Sequence, residues 1–170
     1  MNRNATTLRL AYGGLLAAMI ALLTAYVRLP VVMLKGYAHL GDLGILLSSL
    51  VLGPFAALPA AVGSGLADLL AGYPVYAPFT LVIKGAMGYA LGKWILTRRF
   101  SVRNLIVLIL TAAFMVGAYF LTDTLLYGAE AAVASFVGNC VQGGAMVAGG
   151  LVLIPLCCAL PKSMLGRFRG

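Results

Sequence analysis

GDLGILLSSLVLGPFAALPAAVGSGLADLL, residues 41–70, is an apolar run whose only charges, Asp42 and Asp68, stand near its two ends. A carboxylate in hydrocarbon costs about several kcal/mol unless it is paired or faces a polar cavity, so each is an ion-pair or site candidate. Gly53-Pro54 turns the chain midway, which predicts one helix over residues 42–52 and a second over 55–71. Both are short for a bilayer, so tilt, a re-entrant arrangement or protein-buried ends are expected.

Working outward, a first helix is predicted over residues 8–27, closed by Arg28-Leu29-Pro30 because the residue before proline disfavours helix. Residues 28–41 interrupt the hydropathy with Lys35, Tyr37 and His39, and read as a partly ordered segment folded over the protein. On the other side, Gly72, Pro74 and Pro78 mark a connection into a helix over 78–97. A basic loop with Arg98, Arg99 and Arg103 precedes a helix over 104–127, and Gly128 and Glu130 lead into a last one over 131–160. The expected fold is therefore an all-α integral membrane bundle of six helices, forming one domain over residues 1–170.

Composition supports the membrane class and excludes several others. Apolar residues make up 62% of the 170 and charged residues only 9%, against roughly 25% charged in soluble domains. The net charge of +8 gathers at the ends of apolar runs, a topology signal and not a nucleic-acid surface. With six helices both termini share the side that holds Arg3, Arg9, Lys93, Arg98, Arg99, Arg103, Lys162, Arg167 and Arg169, which the positive-inside rule makes cytoplasmic. His39 is the only histidine, so neither a zinc site nor a Ser/His/Asp triad has supporting residues, and no cofactor or metal is expected. No Walker A motif occurs, so any ATP-driven step needs another protein.

The polar residues left inside the apolar runs define candidate sites. Antiparallel packing of the third and fourth helices would bring Asp68 and Lys84 to similar depth, which predicts a structural ion pair, with Lys84 also able to point at a ligand. Asp42 reads as an N-cap of the second helix. Tyr119, Thr122, Asp123 and Tyr127 share one face of the fifth helix, and Ser135, Asn139, Gln142 and Met146 one face of the sixth. Hydrogen bonding between helices is the plain explanation of such stripes. The aromatic residues on the same face favour a small-molecule pocket. Small residues recur every four positions in the first helix, Gly14 with Ala18 and Ala17 with Ala21, a pattern that permits close packing or docking of another subunit.

The elements Gly41-Asp42, Gly53-Pro54, Ala67-Asp68 within 63–70, Tyr76-Ala77-Pro78 and Ile83-Lys84-Gly85 resemble the substrate-binding (S) component of energy-coupling factor (ECF) transporters, in the branch of riboflavin-, hydroxymethylpyrimidine- and pyridoxine-type members. The resemblance implies a non-enzymatic subunit that captures a vitamin-like heterocycle outside a prokaryotic cell. Its partners would be a transmembrane coupling protein and two ATPases. It further implies that Gly14, Ala17, Ala18 and Ala21 meet the coupling protein, and that Tyr37, His39, Lys84, Asp123, Asn139 and Gln142 build the pocket; the aromatic stripe adds Tyr119 and Tyr127. A stand-alone carrier driven by protons, with Asp68 or Asp123 titrating, is the alternative, although no internal repeat supports it. An intramembrane enzyme built on His39 would lack a nucleophile at a recognisable spacing.

Overall fold

The computed structural model describes residues 3–31, 36–95 and 101–158. Helix α1 (Arg3–Tyr26) leads into a two-stranded antiparallel hairpin, β1 (Arg28–Val31) and β2 (Gly36–His39), with Arg28 opposite His39 and Pro30 opposite Tyr37. Helices α2 (Gly41–Leu52), α3 (Ala57–Leu70), α4 (Ala77–Trp94), α5 (Val102–Tyr127) and α6 (Ala129–Cys158) follow. The segment expected to fold over the protein thus contains strands, and β2 packs against α6.

The break predicted at Gly53-Pro54 takes a particular form. A 3₁₀ turn over Gly53–Ala56 joins α2 to α3, so the chain stays helical from Gly41 to Leu70. Gly53 takes φ of 60°, a left-handed conformation that costs glycine nothing, and Pro54 supplies the first turn of the 3₁₀ segment. The bend is also a contact: a side chain at Gly92 of α4 would collide with the backbone of Gly53. Counted as continuous stretches, the described helices number five, one fewer than the sequence suggested, because the second and third are the two legs of one folded run.

Four of these stretches are long and apolar enough to cross a membrane: Thr6–Tyr26, Gly41–Leu70, Val102–Tyr127 and Ala129–Cys157. The side chains left outside the bundle agree with that. Leu15 and Leu22 of α1, Val82 of α4, Leu110 and Leu121 of α5 and Val133 and Val152 of α6 are all more than half exposed. A water-soluble protein does not leave an apolar surface of that extent uncovered. The chain is a multi-pass membrane protein.

Helix α2 is the interior helix, with nine of its twelve residues buried. It touches α1, α3, α4 and α6, while α5 packs chiefly on α6 and α4. Ile45, Leu46 and Leu50 of α2 meet Ile20 of α1, Met87 and Leu91 of α4, Met115 of α5 and Met146 of α6 in the main core. Two serines are tolerated there because each finds an acceptor: Ser48 donates to the Gly44 carbonyl and Ser49 to that of Ile45, and Ser49 also lies 3.2 Å from the Gly88 carbonyl of α4. Helix α5 begins where Ser101 accepts a hydrogen bond from the Asn104 amide, an N-cap that closes the basic loop.

Small residues of α1 share one face but differ in burial. Ala17 and Ala21 are buried, and Gly63 of α3 approaches the Ala17 backbone so closely that a Cβ there would clash. Gly14 and Ala18 remain exposed. Of the residues expected on a docking stripe, Ala17 and Ala21 are buried, Ala17 against α3, while Gly14 and Ala18 are exposed.

Candidate binding cavity

Both legs of the folded run return to the same place. His39, just before α2, and Ala67, Asp68 and Ala71 at the far end of α3 line one cavity of about 250 Å³. Thr24 from the last turn of α1 and Tyr73, Tyr76 and Thr80 around the start of α4 complete that side. Facing them are Tyr119 and Asp123 of α5 and Ser135, Asn139 and Gln142 of α6. The helical stripes predicted on the fifth and sixth helices thus converge on one space.

Asp123 is held by its neighbours. One oxygen accepts from the Tyr76 hydroxyl at 2.6 Å, and the other accepts from the Ser135 hydroxyl. Burial, followed by the hydrogen bond to Asp123, pushes the Tyr76 phenol up, which keeps it a proton donor to that carboxylate. Tyr76 also packs its ring 5.9 Å from Tyr127. Tyr127 itself does not line the cavity and is more than half exposed, so its expected contact with ligand is replaced by support of Tyr76.

Asp68 is treated differently. Thr80 stands on the same wall, its hydroxyl oxygen 3.1 Å from the Tyr119 hydroxyl. One oxygen of Asp68 is buried and has no partner among the described residues. Nor, among the described residues, has the buried hydroxyl of Thr24 on the same side of the cavity. Unpaired buried oxygens are costly, about 1–3 kcal/mol each, and native proteins keep them where something else completes the bonding.

Below the cavity lies a closed network. The Lys84 ammonium donates to Asp42 at 2.6 Å, with both side chains 2% exposed, and the Gln142 amide donates to the other Asp42 oxygen at 2.9 Å. Lys84 also reaches the sulfur of Met115 at 3.1 Å and sits 5.4 Å from the centre of the Tyr119 ring. This corrects three expectations. The partner of Lys84 is Asp42 and not Asp68, because Lys84 lies one turn deeper on α4 than Thr80, the residue level with Asp68. Asp42 is not a cap: the N-cap position of α2 is Leu40, without a side-chain bond. Lys84 is not among the residues that line the cavity, its ammonium being committed to Asp42.

Of the remaining candidates, His39, Tyr119, Asp123, Asn139 and Gln142 all reach the cavity. The side chain of Tyr37 lies outside the described residues. Thr24, Tyr76, Thr80 and Ser135 line the cavity beyond the set named as ligand contacts. A hydroxyl in the last turn of an otherwise apolar helix was the available signal for Thr24, and a proline-flanked tyrosine at a helix start was that for Tyr76. Among the described residues no group of three histidine, cysteine or acidic side chains could hold a metal ion.

A multi-helix membrane bundle with a small polar cavity lined from α1, α3, α4, α5 and α6 has the architecture of a binding or transport subunit. The sequence profile of the family described as "ECF-type riboflavin transporter, S component" matches residues 4–162, and the chain belongs to that family. It is a membrane transporter component, not an enzyme. Two relatives are similar over shorter spans. A Pyrococcus woesei protein described as "Uncharacterized protein in gap 3'region" is 38% identical over 131 residues, 75% of this chain and 88% of the relative. The "Thiamine precursor transporter HmpT" of Lactococcus lactis subsp. cremoris (strain MG1363) is 36% identical over 92 residues, 54% of this chain and 47% of that relative.

Proposed function

We propose that the chain is the high-affinity substrate-binding subunit of an ECF-type importer, taking up a small vitamin-like heterocycle. The observation that carries this is the cavity itself: polar groups from α1, α3, α4, α5 and α6 converge on it, and two of their buried oxygens await a partner. Tyr76 and Tyr119 supply flat faces for a ring, while Asp68, Asp123, Asn139 and Gln142 meet its polar edge. At about 250 Å³ the space is below the roughly 300–1,000 Å³ of pockets for drug-sized ligands. That favours a single-ring cargo, such as a thiamine-precursor pyrimidine or pyridoxine, over three-ring riboflavin or a queuine-like base. The name of the Lactococcus relative leans the same way.

In this reading the folded α2–α3 run provides two crossings, so the chain crosses the prokaryotic plasma membrane six times with both termini in the cytoplasm. Arg3 at the start of α1, Lys93 near the end of α4 and Arg103 at the start of α5 all lie at helix ends remote from the cavity, as positive-inside orientation with an outward site requires. Gly14 and Ala18 form the outward small-residue patch for a coupling protein, which works with two ATPases. The test is the melting temperature of the detergent-purified chain against hydroxymethylpyrimidine, pyridoxine, riboflavin and queuine. A single-ring compound should raise it by several degrees; no response to any of the four sinks the proposal. Uptake by the chain alone in vesicles without an ATPase would instead establish the proton-driven carrier.

A further inference from the structure

Resting on the binding-subunit reading, we infer that the cavity selects a cationic ring, or one presenting an amidine-type pair of N–H donors, over neutral and anionic rings of the same size. The wall carries two carboxylates from different helices, Asp68 of α3 and Asp123 of α5. Among the described residues no lysine or arginine lines the cavity, and the lysine beneath it is paired with Asp42. Asp42 and Lys84 cancel, so among the described residues the balance at the wall is set by Asp68, Asp123 and His39. A fully protonated His39 offsets only one of the two carboxylates.

The bonding deficit has the same sign as the charge. Asp123 has both oxygens met by hydroxyls, whereas Asp68 has one buried oxygen that no described residue meets. An ionised carboxylate only accepts hydrogen bonds, so what completes Asp68 must donate. A charged N–H donor makes the shorter and stronger bond of this kind. Gln142 already commits an N–H to Asp42, leaving less of its amide to serve acceptors on a ligand. An anionic ring would enter a small space beside two like charges, the arrangement that rejects a competitor by repulsion.

Benzamidine, benzamide and benzoate have nearly one shape and carry charges of plus one, zero and minus one, so they isolate the charge term. Titrated calorimetrically into the detergent-purified full chain, benzamidine should bind at least tenfold more tightly than benzamide, with no detectable binding of benzoate. Asp68→Asn should erase most of the preference without lowering the melting temperature of the unliganded protein. If that variant is not recovered folded, Asp123→Asn serves as the second, and the wild-type order decides by itself. Benzamide or benzoate binding as well as benzamidine, or no binding by any of the three, overturns the charge assignment. The vitamin panel judges the binding-subunit reading separately, so a failure of one is told from a failure of the other.

Discussion

Asp42 and Asp68 begin and end the same folded helical run, and the protein has given them opposite surroundings. Asp42 has a lysine on one oxygen and an amide on the other, in a network with almost no exposure. Asp68 borders the cavity and has one buried oxygen without a partner among the described residues. The difference separates a carboxylate that holds helices together from one that is kept for something else. Removing a partner from the first should damage the fold, and altering the second should spare the fold and damage binding.

The largest effect is expected at Lys84. Lys84→Met strands the Asp42 carboxylate in the core, and breaking a buried pair in this way costs about 3–5 kcal/mol. Thermal unfolding in detergent should show a large fall in melting temperature, and the double variant Asp42→Asn/Lys84→Met should recover much of it. A melting temperature unchanged by Lys84→Met alone would remove the distinction between the two carboxylates. Next comes Asp68→Asn, which keeps shape but not charge: ligand affinity should drop about tenfold or more while the melting temperature of the empty protein holds, since a charge-assisted bond exceeds a neutral one by about 1.5 kcal/mol. Equal loss of stability and affinity would make Asp68 structural.

Tyr76→Phe removes the 2.6 Å donor to Asp123 without touching the carboxylates. A single hydrogen bond is worth about 1 kcal/mol, so titration should show affinity weakened roughly fivefold. The smallest effect belongs to Tyr127→Leu. Its ring supports Tyr76 from outside the cavity, and affinity should change by less than about threefold, the scale of one exposed aromatic contact. A larger loss there than at Tyr76 would show that the ligand reaches beyond the cavity as drawn.

What was legible in the chain follows from periodicity. The stripe of Ser135, Asn139 and Gln142 and the placement of Tyr119 and Asp123 depend only on 3.6 residues per turn, and both face the cavity. The bend at Gly53-Pro54 was legible as a break, but sequence alone did not tell a loop from a 3₁₀ turn that keeps the run helical. The pairing of Lys84 was not legible, because it joins residues 42 apart in the chain through a register set by packing. Counting depth from the loops put Lys84 beside Asp68; the long lysine side chain instead finds the interior helix. The α1 stripes show a similar limit. Ala17 and Ala21 are as small as Gly14 and Ala18, so spacing could not say which pair is buried and which is exposed.

The most direct test of a binding subunit with a small polar cavity is native mass spectrometry of the detergent-purified wild-type chain, with identification of any molecule released on activation. The account predicts a one-to-one complex with a single-ring, nitrogen-rich compound that is absent from Asp68→Asn prepared in parallel. A chain that flies only in its bare mass, or one that carries an anionic or three-ring compound equally in both proteins, would contradict it.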